Sequence, residues 1–217
     1  VTAFFLPLDV PGVSTTIFED MGRNALSTGG FRLVNVELPE HYIIGEWNKG
    51  FYYAMEGFQF ARVLVAAACI GCASRALEIG MEYIKQRELF GKPLAKYEGI
   101  QFPLADDYAA IEADKLLVYR AAWFIDEMYK KPEVSKEDMQ KAALYSSLAK
   151  LRAPYDAYKA CNDVQEWFGA YGYTKECDVE MAVRGVRSYS VGAEGGQNIM
   201  RIIIARELLG REYLPYR

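Results

Sequence analysis

The sequence predicts a mainly α-helical fold: an up-down four-helix bundle preceded by a few β-strands from an incomplete β-barrel domain. Three observations predict it. From Gly50 onward, apolar residues recur at intervals of three and four through three long segments, the period of helices with one buried face. The breaks between those segments are short and carry Gly91, Pro93 and Pro132, which favours antiparallel neighbours. Before Gly50 the pattern changes to short apolar runs punctuated by Pro7, Pro11, Gly12, Gly29 and Gly30, as in strands and turns.

Taken in order, Val1 to Leu8 is an apolar run closed by Pro7, Pro11 and Gly12. Phe31 to Leu38 alternates in part, with Val34, Val36 and Leu38 on one face and Gly29-Gly30 supplying a turn before it. Two or three strands do not make a stable sheet alone, so residues 1–46 read as the end of a β-domain and 47–217 as a helical domain. The first helix is expected over Gly50 to Arg87, with Gly57 a candidate break and Val63, Ala67, Ile70, Ser74, Leu77, Met81 and Ile84 as its stripe. Between Val63 and Ala73 it is apolar almost all round, which places it centrally. A second helix follows over about Tyr97 to Tyr129, striped by Ile100, Leu104, Tyr108, Ile111, Val118, Ala122 and Ile125. Ser135, with Asp138 three residues on, caps a third, whose stripe is Leu144, Leu148, Leu151, Tyr155 and Tyr158 and which Pro154 should kink. Phe168 to Tyr173 ends it; a short helix over Val179 to Val183 and a last one over Gln197 to Leu209 complete the chain.

At 217 residues, 52% hydrophobic and 14% aromatic, the chain can bury a sizeable core. A formal charge of −4, with no long basic run, argues against nucleic acid or an anionic membrane surface as partner. The run Val63–Ala73 falls short of the roughly 20 apolar residues a bilayer span needs, and the N-terminal run lacks the charges and cleavage site of a signal peptide. Cys69 and Cys72 have the spacing of a metal motif but sit inside the apolar helix with no histidine or second pair beside them. Buried free thiols in a reducing cytoplasm are therefore expected, and no metal site. His41 is the chain's one histidine, so acid–base chemistry must rest on a carboxylate, tyrosine or lysine.

One carboxylate stands apart. Glu194 is isolated in Gly192-Ala193-Glu194-Gly195-Gly196, where a flexible loop runs into the last helix. Two readings of it stand: a solvated acid favoured by the helix dipole, or a carboxylate held in a cleft as a base. Three further stretches place charged or polar side chains beside glycines at helix ends: Phe58–Arg62, Arg87–Leu94 and Glu166–Tyr173.

Together and in this order, these stretches resemble the acyl-CoA dehydrogenase family, over essentially the whole chain. Val1–Phe5 with Pro11-Gly12 is similar to the strand and turn late in that family's middle β-domain, Phe31–Pro39 to its strand ending in V-x-V-P, and Trp47–Arg62 to the entry of its first long C-terminal helix. Arg87–Leu94 matches R-x-x-F-G-K-P-L, Gln101–Asp106 resembles Q-x-x-L-A-D, and Glu166–Tyr173 resembles Q-x-x-G-G-x-G-Y. Arg184–Gly210 is similar to the family's base loop and C-terminal helix.

The resemblance implies FAD as cofactor and an acyl-CoA thioester as substrate. A carboxylate takes the weakly acidic α-hydrogen while the β-hydrogen leaves as hydride to the flavin. It implies a cytoplasmic enzyme of fatty acid metabolism, an electron-transfer flavoprotein as acceptor, and a homotetramer assembled as a dimer of dimers. Glu194 takes the base position, and Arg62 that of the helix arginine near base and substrate, with Ala193 and Gly195 beside the substrate. Some members keep the base one residue before the helix arginine, which is Ala61 here and cannot serve. Arg87 and Phe90 match positions that reach the FAD of a neighbouring subunit, Arg87 at the pyrophosphate. Glu98, Glu166, Gly169, Ala170, Gly196 and Asn198 fall on the other cofactor positions.

This sequence departs from the family pattern at several of them. Glu98 and Glu166 replace glutamines, Ala170 a glycine, Gly196 a threonine or serine and Gly185 an aspartate. The family's N-terminal half is missing from the sequence, so a partner chain supplying it is a second possibility beside the homo-oligomer. Three functional readings follow: a portion of a dehydrogenase, active when completed; a non-catalytic bundle assembling with a catalytic partner; and an oxidase or monooxygenase on the same fold.

Overall fold

The computed structural model describes residues 1–26 and 28–215 and divides into two compact units, Val1–Phe58 and the chain from Gln59 onward. In the first unit, β1 (Ala3–Phe4) pairs antiparallel with β4 (Ile43–Ile44), and β2 (Val13–Ile17) pairs antiparallel with β3 (Gly29–Leu33). Two expectations change. Gly29 and Gly30 lie in β3 rather than in a turn, with the Thr16 carbonyl oxygen 2.3 Å from where a Gly29 Cβ would stand. The strand also ends at Leu33 instead of running to Leu38, and Asn35 takes a φ of 50° just beyond it.

Helix α1 (Gly50–Gln86) runs unbroken for 37 residues through Gly57. Val63, Ala66, Ile70, Ala73, Leu77 and Ile84 form its buried stripe, but Leu64 is 69% exposed and Ala67, Ala68 and Gly71 also face outward. The helix is therefore not enclosed all round, and Ala67 does not belong to the stripe. Among the described residues, α1 alone is long and apolar enough to cross a bilayer, and half of its most apolar window is buried in the protein.

A hairpin of β5 (Glu88–Leu89) and β6 (Lys92–Pro93) leads into α2 (Glu98–Tyr129) and α3 (Lys136–Trp167). The Ser135–Asp138 capping box forms in full. The buried face of α3 is not the expected one. Ala142, Ser146, Ser147, Ala149, Lys150, Ala153, Ala157 and Ala160 are buried, whereas Leu144, Leu148 and Leu151 lie at the rim and Tyr155 is exposed. The reason is that α3 packs against α2, α4 (Asp178–Val191) and α5 (Gln197–Leu209) at once. Small side chains let several helices approach one axis, and the larger ones seal the edges. The helix continues through the buried Pro154 without interruption. Helix α4 is longer than the expected Val179–Val183, because Val179, Val183, Val186 and Ser190 keep one buried face down to Val191.

Two acids missing from the expected stripe of α2, Asp107 and Asp114, are 2% and 1% exposed, while the expected Tyr108 is exposed. Lys159 pairs with Asp107 at 2.6 Å. Burial, and then the facing Asp156, push the Asp114 carboxyl up to about 7, against the pull of Arg152. A carboxyl raised on folding favours the native state while it holds its proton. Stability should therefore fall as pH rises from about 4 to about 7 and level off above. Asp114→Asn should flatten that slope and raise the melting temperature at pH 8 by about 5 °C, with little change at pH 4, as read from thermal melts across pH.

Candidate active site

Between α4 and α5 the chain passes through Gly192–Gly196, with three successive left-handed residues: Ala193 at φ 55°, Glu194 at 44° and Gly195 at 104°. Glycine takes this conformation freely; for Ala193 and Glu194 it is strained by roughly 1–3 kcal/mol each. Two buried cations hold the loop. On α1, Arg62 is 4% exposed and its Nε donates to the Glu194 carbonyl oxygen at 3.1 Å. On α3, Lys150 is fully buried, and its Nζ donates to the carbonyl oxygens of Tyr189 at 2.9 Å, Gly192 at 3.2 Å and Gly195 at 3.3 Å.

The charges interact. Burial pushes the Lys150 ammonium below the ordinary lysine value, Cys69 and Glu194 pull it back up, and Arg62 adds to the lowering. Burial and then Arg206 lower Arg62, with Glu194 opposing. Glu194 itself is half-buried, and among the described residues its buried Oε2 has no hydrogen-bond partner. The buried amides Gln59 Oε1 and Gln197 Oε1 and Nε2 are also without partners among the described residues. The substrate residues expected beside the base, Arg62, Ala193 and Gly195, are thus gathered around it.

The cofactor positions divide into two groups. Arg87, Glu166, Gly169 and Ala170 line one cavity of about 470 Å³, walled by Tyr83, Leu94, Ile100, Trp167 and Phe168. The Tyr83 and Phe168 rings stack at 4.0 Å. Glu166 accepts a hydrogen bond from Asn162 Nδ2 at 3.1 Å, so its carboxylate is engaged by its own helix. Gly196 and Asn198 line a second cavity of about 350 Å³ at the start of α5, together with Arg187, Gln197 and Arg201. Arg201 Nη1 donates to Asn198 Oδ1 at 2.9 Å.

Phe90 and Glu98 line neither cavity. Phe90, at φ 50°, and Gly91, at 79°, form the tight turn between β5 and β6, which carries the Phe90 ring to a tip where it is 91% exposed. Glu98 is exposed at the first turn of α2.

Sequence reasoning missed Lys150, Gln59, Gln197, Arg187 and Arg201. A signal for Lys150 was available: it is the lone cation within the Ala/Ser stripe of α3. All four cysteines are free; Cys69, Cys161 and Cys177 are buried and Cys72 half-buried. A hydrogen bond with the Cys161 thiol lowers Cys72 and raises Cys161. Among the described residues no group of three or more His, Cys, Asp or Glu is placed to hold a metal ion.

Residues 48–209 match the family described as acyl-CoA dehydrogenase, C-terminal domain, and the chain belongs to that family. It is 34% identical over 96% of its length to a probable acyl-CoA dehydrogenase, YngJ, of Bacillus subtilis, covering 52% of that protein. It is equally 34% identical, over 96% of its length and 52% of the relative's, to the caffeyl-CoA reductase-Etf complex subunit CarC of Acetobacterium woodii. The solved structure of butyryl-CoA dehydrogenase from Megasphaera elsdenii superposes with a TM-score of 0.83 at 32% identity, over 96% of this chain and 51% of that one. The chain spans about half the length of the proteins it matches.

The conformation of the Gly192–Gly196 loop makes one position sensitive. A Cβ at Gly195 would need a φ of 104° and would meet Met200 Cε at 3.0 Å. Gly195→Ala should destabilise the fold by about 1–3 kcal/mol, read as a lowered midpoint in urea with an unchanged slope.

Proposed function

We propose that this chain supplies the base and part of the cofactor site of an FAD-dependent acyl-CoA dehydrogenase, acting on a thioester by proton abstraction at the α-carbon through Glu194. One observation carries the reading: Oε2 of Glu194 is buried without a hydrogen-bond partner among the described residues, on a loop of small residues beside Arg62. A carboxylate oxygen without a donor can accept a proton from a bound carbon acid, and Gly192–Gly196 brings no other large side chain of its own beside it. Holding the Glu194 carbonyl, Arg62 fixes the backbone from which the base extends. With Ala61 in the alternative base position, that site offers no rival carboxylate.

The residues fit FAD. Arg87 would hold the phosphates of one FAD in the cavity walled by the Tyr83 and Phe168 rings, and Gly196 and Asn198 at the N-terminus of α5 would face the anionic part of another. When bound, FAD supplies the hydride acceptor for the β-hydrogen. The Etf complex in the name of the Acetobacterium woodii relative supports an electron-transfer flavoprotein as electron acceptor. Leu116, Tyr119 and Trp123 lie 71%, 68% and 64% exposed along α2, an apolar stripe that supports self-association, in our reading as a dimer of dimers. Four free thiols support a reducing compartment, the cytoplasm, and a place in fatty acid metabolism goes with the substrate class.

The intact protein should purify with a visible flavin spectrum that bleaches when an acyl-CoA is added without oxygen. Glu194→Gln should keep the flavin and slow bleaching about a hundred- to ten-thousand-fold. A protein without flavin, or bleaching that survives the substitution, overturns the reading; the first of these outcomes favours a non-catalytic bundle.

A further inference from the structure

We propose that Lys150 is a positioning residue for Glu194, gathering the carbonyl oxygens of Tyr189, Gly192 and Gly195 so that the base is held on a left-handed backbone. This rests on the reading of Glu194 as the base. An ammonium group carries three N–H donors, and the three carbonyls, at 2.9, 3.2 and 3.3 Å, use all of them. The acceptors bracket the base: two precede Glu194 in the chain and one follows it directly. Arg62 takes the carbonyl of Glu194 itself. A fully buried cation whose three donors fall on the carbonyls of Tyr189, Gly192 and Gly195 fixes the path of the chain from the end of α4 through the loop.

The arrangement also explains why strain persists at Ala193 and Glu194. Left-handed Ala and Glu need a surrounding structure that over-determines them, and two cations reaching in from two different helices provide it. The cradle adds charge as well as geometry. The groups facing the Lys150 ammonium are Cys69 and Arg62 from α1 and Glu194 from the loop; Arg62 in turn faces Arg206 of α5, which pairs with Glu207. Removing the ammonium leaves the base with one favourable charge fewer in its surroundings.

The test uses the intact protein carrying its flavin, with Lys150→Met, Lys150→Gln and Glu194→Gln compared. Flavin reduction by acyl-CoA is followed against substrate concentration and pH, and hydrogen exchange is measured on the peptide spanning 189–197, which needs no substrate. Lys150→Met should lower the limiting rate of reduction about 100-fold while substrate affinity changes by less than about threefold. It should move the acid limb of the pH–rate profile upward by about one unit and speed exchange of amides 193–196 by about tenfold. Lys150→Gln keeps N–H donors without the charge, so it should recover part of the rate and protection but retain the pH displacement. Wild-type rate, profile and exchange in Lys150→Met overturn the proposal. So does failure of both Lys150 variants to fold and hold flavin, which would make the lysine purely structural. A Glu194→Gln protein that still reduces its flavin overturns the base assignment instead, and the exchange arm then reports separately on whether Lys150 holds the loop.

Discussion

The site depends on two buried cations satisfying backbone carbonyls rather than carboxylates. Arg62 and Lys150 come from different helices, and both end on the segment between Tyr189 and Gly195. An ion pair with Glu194 would have consumed the carboxylate; hydrogen bonds to its backbone hold the residue and leave Oε2 without a partner among the described residues. Burying two like charges is costly, and the lowered values of both groups record that cost. The strained φ values of Ala193 and Glu194 persist within this arrangement.

The cradle in turn requires α3 to lie deep in the bundle. Ser146, Ser147, Ala149 and Ala153 surround Lys150 in sequence with side chains too small to keep α4 and α5 away. A larger stripe would fill the space through which the lysine reaches the loop. The same economy of size recurs where Gly80 of α1 meets Val164 and Trp167 of α3: an added Cβ would stand 2.7 Å from the Val164 Cγ1 atom. Backbone proximity is what makes a charged side chain of α3 long enough to act on a loop beyond α4.

Much of this was legible in the sequence, and the failures share a cause. Periodicity located α1, α2, α3 and α5 nearly to the residue, and the Ser135–Asp138 box marked the start of α3 outright. The isolated Glu194 and the Arg87 and Glu166 stretches pointed to the regions that form the base loop and the first cavity. What went wrong was the choice of buried face. Size is not the mark of burial in α3: its alanines, serines and Lys150 are inside, while Leu144, Leu148, Leu151 and Tyr155 are at the rim or exposed. In α2 the buried face likewise holds Asp107 and Asp114. Burial of polar groups depends on partners from other helices, which a single helix's pattern does not contain.

The spacing along α1 bears on how the two groups of cofactor residues could work. Arg62 and Arg87 are twenty-five positions apart, and at about 1.5 Å per helical residue that separates their backbones by about 37 Å. An extended dinucleotide is shorter than this. On the reading proposed above, one chain's Arg87 cavity and its own Glu194 loop serve different cofactor molecules. In that reading a second copy completes each group, bringing its Arg87 cavity to this chain's Glu194, and the reverse. A two-fold arrangement would offer each loop the other chain's cavity. The exposed Phe90 tip fits the same logic, since an aromatic ring on a tight hairpin turn, 91% exposed beside Arg87, is well placed to meet a partner rather than its own core.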